Sequence, residues 1–74
     1  MTAERDSLNA LLARNVRQCM ETLKLTQRAL SEQTGLDVRT IRRVRHGDGA
    51  RLETVERIAE ALKVRASDLI DRAA

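Results

Sequence analysis

Apolar residues mark out helices along most of the chain. Leu8, Leu11, Leu12, Val16, Cys19 and Leu23 recur at intervals of three and four or close multiples of them, the stripe of an amphipathic helix. Thr26 suits an N-cap, because its hydroxyl accepts an orphan backbone N–H. A short second helix over about residues 27–33 would then bury Ala29 and Leu30. Gly35 stands where a helix ending on a left-handed residue wants glycine. Asp37 follows, and its carboxylate suits the N-terminus of a third helix over about residues 38–45. That helix stops near His46 and Gly47, and Asp48, Gly49 and Ala50 continue as a turn. Leu52, Val55, Ile58, Ala59 and Leu62 then repeat on one face of a fourth helix, with Glu53, Glu56, Arg57 and Glu60 on its other faces. Lys63 and Val64 connect to a last short helix anchored by Leu69 and Ile70. The pattern predicts a single all-α domain of five helices.

Composition narrows what such a domain can do. The chain has 74 residues, and a domain of that size buries only roughly 60% of the surface its unfolded chain exposes. Its stability margin is thin, and dimerisation would widen it. Phe, Trp and Tyr are absent, which removes the stacking surfaces on which single strands and splayed RNA bases are held. Glu4, Arg5 and Asp6 stand where a signal peptide would have its apolar core. No apolar run approaches the roughly 18 residues of a membrane span. Cys19 is the one cysteine, so no internal disulfide is expected and a reducing cytosol fits. A soluble cytoplasmic protein without a membrane partner is the expectation.

Charge is concentrated in one place. Arg39, Arg42, Arg43, Arg45 and Arg51 stand against Asp48 alone between Val38 and Arg51, a local net of +4 in a chain whose total is +3. Such asymmetry is the footprint of a polyanion-binding element. Two short helices joined by a glycine-containing turn form a helix-turn-helix, and the second can be tested on a helical wheel. With Val38 at zero and about 100° per residue, Ile41 and Val44 fall near 300° and 240°, whereas Arg42, Arg39 and Arg43 fall near 40°, 100° and 140°. One face packs and the opposite face presents three guanidiniums. An arginine fork can bond guanine O6 and N7 together, so Arg39 and Arg43 are assigned to bases. Arg42 joins them, balanced between base and phosphate, and Val38 is placed against a thymine methyl. Arg45, near 340° at the helix end, is assigned to the phosphate backbone.

Over residues 15–70 the chain resembles the lambda-repressor-like (Cro-type) helix-turn-helix domains of bacterial and phage regulators. The shared signature is Leu25-Thr26-Gln27, Gly35-Leu36-Asp37, Thr40-Ile41 with Val44, Gly47, Leu52-Glu53-Thr54-Val55, Ile58-Ala59 and Ala61-Leu62. The resemblance implies a compact five-helix domain over residues 15–72, with residues 1–14 as an extension continuing into the first helix. It also implies a dimer on an inverted-repeat operator in double-stranded DNA, inside a bacterial or phage-infected cell. By resemblance Gln27 should bond a phosphate and brace the start of the recognition helix, and His46 meets the backbone again. Thr26, Thr40 and Arg51 complete the phosphate set. The dimer surface falls on the last two helices, including Leu69 and Ile70. The family often pairs an acid at position 45 with a base at position 20; here Arg45 and Met20 stand there, which frees Arg45 for DNA. The loop after Gly47 is about one residue short, and Arg51 replaces a frequent capping Ser or Thr.

Plainer readings stand beside these. An arginine-rich helix face is often only solvated, but the helix-turn-helix context and the acidic remainder of the chain favour DNA. His46 is the only histidine and shares no familiar metal spacing with Cys19, so no metal or cofactor is expected. Cys19 reads as a small core residue. Gly47-Asp48-Gly49 is a turn and not a phosphate loop, since no following GK[ST] and no preceding strand accompany it. Glu53, Glu56 and Glu60 read as a solvated face, and no nucleophile–base pair suggests an enzyme. The expected function is transcriptional regulation by repression. The alternative is an antitoxin, or another protein-interaction module on the same fold, with a toxin as partner.

Overall fold

Ser7 opens the first helix by accepting the Ala10 N–H at 3.1 Å, and the computed structural model describes the chain from this residue to Arg72. Four α-helices follow: α1 (Leu8–Leu23), α2 (Gln27–Thr34), α3 (Val38–His46) and α4 (Leu52–Leu62). Helix 1 thus already runs through residues 8–14 of the expected extension, while residues 1–6 lie outside the described residues. Thr26 caps α2 by accepting the Ala29 N–H at 3.0 Å, and Asp37 caps α3 through the Arg39 N–H at 3.1 Å. Gly35 and Gly47 end α2 and α3 at φ 76° and 88°, a region most side chains avoid. Arg51 precedes α4 without a side-chain cap, as its replacement of Ser or Thr implied.

The fifth element is not an α-helix. Ala66–Ile70 forms a short 3₁₀ segment, capped locally by the Arg65 N–H on the Asp68 carboxylate at 3.0 Å and tied to α1. Asn15, buried at 3% exposure, donates from Nδ2 to the Leu69 carbonyl at 2.8 Å and to the Asp71 carbonyl at 3.3 Å. These carbonyls turn toward α1, and five residues are few for an α-helix to nucleate.

The core joins Leu12, Val16 and Met20 of α1 to Leu30 of α2, Ile41 and Val44 of α3, Val55, Ile58, Ala59 and Leu62 of α4, and Leu69. Leu8, Leu23 and Leu52 belong to the apolar stripes by phase yet remain 56%, 43% and 82% exposed. Each sits in the first or last turn of its helix, where the stripe extends past its partners. Leu69 is fully enclosed in this core, so it cannot form the dimer surface expected of it; Ile70 beside it is 41% exposed. Helix 3 packs against both α1 and α2, and α4 contacts α1, α2 and the 3₁₀ segment. Helix 3 is therefore held by two neighbours with its far side open.

Candidate nucleic-acid interface

Burial along α3 follows the wheel. Ile41 and Val44 are 0% and 1% exposed, while Arg39, Arg42, Arg43 and His46 are exposed. Val38, Thr40 and Arg45 are half-buried, on the flanks between the two faces. The guanidiniums of Arg39, Arg42 and Arg43 make no hydrogen bond or ion pair with the described residues, so each is available to a partner.

The angle at which α2 presents α3 is set at Leu36. The Ser31 hydroxyl donates to the Leu36 carbonyl. Thr34 Oγ1 accepts the Leu36 N–H at 3.1 Å and donates to the Leu30 carbonyl at 2.8 Å. Side chains of α2 thus satisfy both backbone groups of the turn residue, leaving little freedom at the hinge. At the other end, the Gly47 N–H bonds to the Val44 carbonyl and the Asp48 N–H to the Arg43 carbonyl at 3.0 Å. This wrapped terminus closes α3 in the manner of a Schellman motif.

A pocket of about 260 Å³ opens beside α3, lined by Arg17, Gln27, Arg42, Arg45 and His46. It gathers Gln27, Arg42, Arg45 and His46 of the sequence-assigned residues and omits Val38, Arg39 and Arg43 of the base set and Thr26, Thr40 and Arg51 of the phosphate set. Gln27 Oε1 and Arg45 Nε are buried there without a hydrogen-bond partner among the described residues. Gln27 forms no hydrogen bond to the start of α3, so the expected brace is not its contact in this structure. Arg17 NH1 instead donates to the Arg45 carbonyl at 2.6 Å, tying α1 to the last turn of α3. Arg17 was not foreseen from the sequence. One signal was present: position 17 lies three residues before Met20, and residues three apart share a helix face.

Met20 is buried in the core at 3% exposure, so positions 20 and 45 hold no charge pair. Cys19 is half-buried among core residues; burial foremost, with the Asp68 carboxylate adding to it, pushes its thiol above its ordinary value of 9.0. No helix among the described residues is long and apolar enough to cross a membrane. Among the same residues no group of His, Cys, Asp and Glu is arranged to hold a metal ion.

Comparison with protein families matches residues 15–74 to the Cro/C1-type HTH DNA-binding domain. No curated protein and no solved structure matches the chain.

Proposed function

The chain belongs to the Cro/C1-type helix-turn-helix DNA-binding domain family, and from that premise we propose that it is a sequence-specific transcriptional repressor reading the major groove with α3. One observation supports this reading above the others. A helix anchored by two fully buried aliphatics turns three arginines, unpaired among the described residues, to the open side of the molecule.

Arg39, Arg42 and Arg43, with Val38 at the first turn, take the base edges. Each bidentate arginine–guanine pair discriminates by about 1–3 kcal/mol against a wrong base. Thr26, Gln27, Thr40, Arg45, His46 and Arg51 take phosphates, which fix register and carry no sequence information directly. Nine residues of α3 span about 14 Å at 1.5 Å per residue, enough for only a few base pairs. Selectivity in a genome therefore calls for a two-fold dimer whose half-sites lie about 34–36 Å apart on an inverted repeat. Occupying such an operator in the cytoplasm of a bacterium, or of a phage-infected cell, excludes polymerase.

The test is selection of bound duplexes from a random double-stranded library near physiological salt, with the Arg39→Ala/Arg43→Ala double variant alongside. An enriched inverted repeat that disappears in the variant is the expected result. Enrichment unchanged by the variant would remove these arginines from the base-reading set. Absence of enrichment, together with a stable complex with a partner protein, would favour an antitoxin or adaptor instead.

A further inference from the structure

We infer that Arg17 of α1 is a DNA-backbone residue, which clamps one phosphate in the pocket beside α3 while bracing the end of that helix. The inference rests on the DNA-binding reading and adds to it a residue from outside the helix-turn-helix.

Three observations meet at this place. First, Arg17 is exposed, yet its NH1 donates to the Arg45 carbonyl at 2.6 Å across 28 residues of chain. The last carbonyls of a helix have no intrahelical partner. Those of Arg43 and Val44 are taken by the turn after α3, and that of Arg45 is taken by Arg17. A guanidinium has five N–H donors in a fixed fork, so this bond leaves most of them unused.

Second, the pocket around that fork is lined by Arg17, Arg42 and Arg45 together with Gln27 and His46, and by no carboxylate. Arg17 has no ion pair among the described residues. Three like charges around one hollow repel one another, a cost that an anion would reverse. A water takes about 30 Å³ of liquid, so a hollow of about 260 Å³ has room for a tetrahedral oxyanion and some of its hydration.

Third, Arg45 Nε is buried without an acceptor among the described residues. An unmet buried donor is destabilising, and a phosphate oxygen is an acceptor of the kind it lacks. A phosphodiester group of the duplex supplies the charge and the acceptors together. The brace then gains a function: whatever phosphate Arg17 holds is linked through one guanidinium to the tip of α3, which fixes how that helix sits in the groove.

The experiment measures binding of the full chain to its selected duplex, and to a random duplex, across a salt series. Wild type, Arg17→Ala and Arg17→Lys are compared, with melting curves for each. Arg17→Ala should bind both duplexes about three- to tenfold more weakly and lower the slope of log K against log salt by about 0.9, the share of one phosphate. Arg17→Lys keeps the charge and should keep the slope. On duplexes carrying single methylphosphonates, one position should abolish the difference between wild type and Arg17→Ala. Equal losses in both variants with an unchanged slope would mean a brace alone and overturn the phosphate assignment. Displacement of the duplex by inorganic phosphate beyond the effect of chloride at matched ionic strength would make free phosphate the occupant and overturn the duplex as its source. If wild type binds no duplex at all, the DNA-binding reading itself fails; if it binds and Arg17→Ala keeps the slope, only the role of Arg17 fails.

Discussion

Replacing Ile41 by alanine tests whether α3 owes its position to its buried seam. Ile41 is 0% exposed and sits in the core with Leu12, Val16, Leu30 and Val44. The change deletes three carbon groups, worth about 0.8 kcal/mol each on transfer from water. The cavity left behind brings the expected loss to about 2–5 kcal/mol. A chain of 74 residues has a total stability of about 4–11 kcal/mol at typical per-residue values. The variant therefore forfeits a large fraction of it. Each kcal/mol is worth about 4–8 °C of melting temperature in a domain this size, so a fall of at least about 8 °C is expected in a far-ultraviolet circular dichroism melt. Arg42→Ala, at the exposed neighbouring position, should stay within about 0.5 kcal/mol of wild type, and Ile41→Val should lose only about 0.5–1.5 kcal/mol. Duplex at a hundred times its dissociation constant stabilises the folded state by about 2.7 kcal/mol and should restore part of the melting temperature of Ile41→Ala. An Ile41→Ala protein that melts with wild type, or an Arg42→Ala protein that melts as low as Ile41→Ala, would refute the assignment of packing and reading to opposite faces.

Other perturbations probe separate parts of the molecule. Gln27→Ala should weaken binding to every duplex without changing the preferred sequence; a different preferred sequence in the library selection would give Gln27 a base. Lys24 ends α1 with φ at 57°, a conformation that strains a residue with a Cβ by roughly 1–2 kcal/mol. Lys24→Gly relieves that strain against a glycine entropy cost of about 0.5–1 kcal/mol, so its melting temperature should rise by a few degrees, and a fall would contradict the strain. The Cys19 thiol is raised in the folded state, which means the folded protein holds this proton more tightly than the unfolded chain does. Stability from this source is intact below the ordinary thiol value of 9.0 and falls as pH rises through the higher folded value. Urea midpoints should decline on that alkaline side more steeply for wild type than for Cys19→Ala, and parallel curves would show that the thiol plays no part.

What the sequence made legible was local. Thr26, Gly35 and Asp37 act within a few residues of themselves, so their caps and turns could be read from spacing alone. The phase of α3 was equally plain, because Ile41 and Val44 fall on one side of a short helix and the arginines on the other. The missed features depend on partners far along the chain. Asn15 meets Leu69 across 54 residues, a tie to the last element that no local spacing announces. Leu52 carries the right phase and is still 82% exposed, since periodicity gives a direction without showing that a neighbour stands there. Lys24 and Lys63 end their helices in the left-handed region, where the usual sign, a glycine, is missing.

This division between local and distant contacts bears on how the interface can change. Helix 3 is fixed by the Asp37 cap, by the Ser31 and Thr34 bonds at Leu36, by the Ile41 and Val44 seam, and by Arg17 at its far end. None of those contacts uses the side chain of Arg39, Arg42 or Arg43. Substituting an exposed side chain with no protein partner typically shifts stability by no more than about 0.5 kcal/mol, whereas one lost guanine contact costs about 1–3 kcal/mol of discrimination. If Arg39, Arg42 and Arg43 take the base edges as proposed, sequence preference can be altered at positions 39, 42 and 43 at little cost to the fold. A change at Ser31, Thr34 or Ile41 would instead move or loosen the whole helix and weaken every site together.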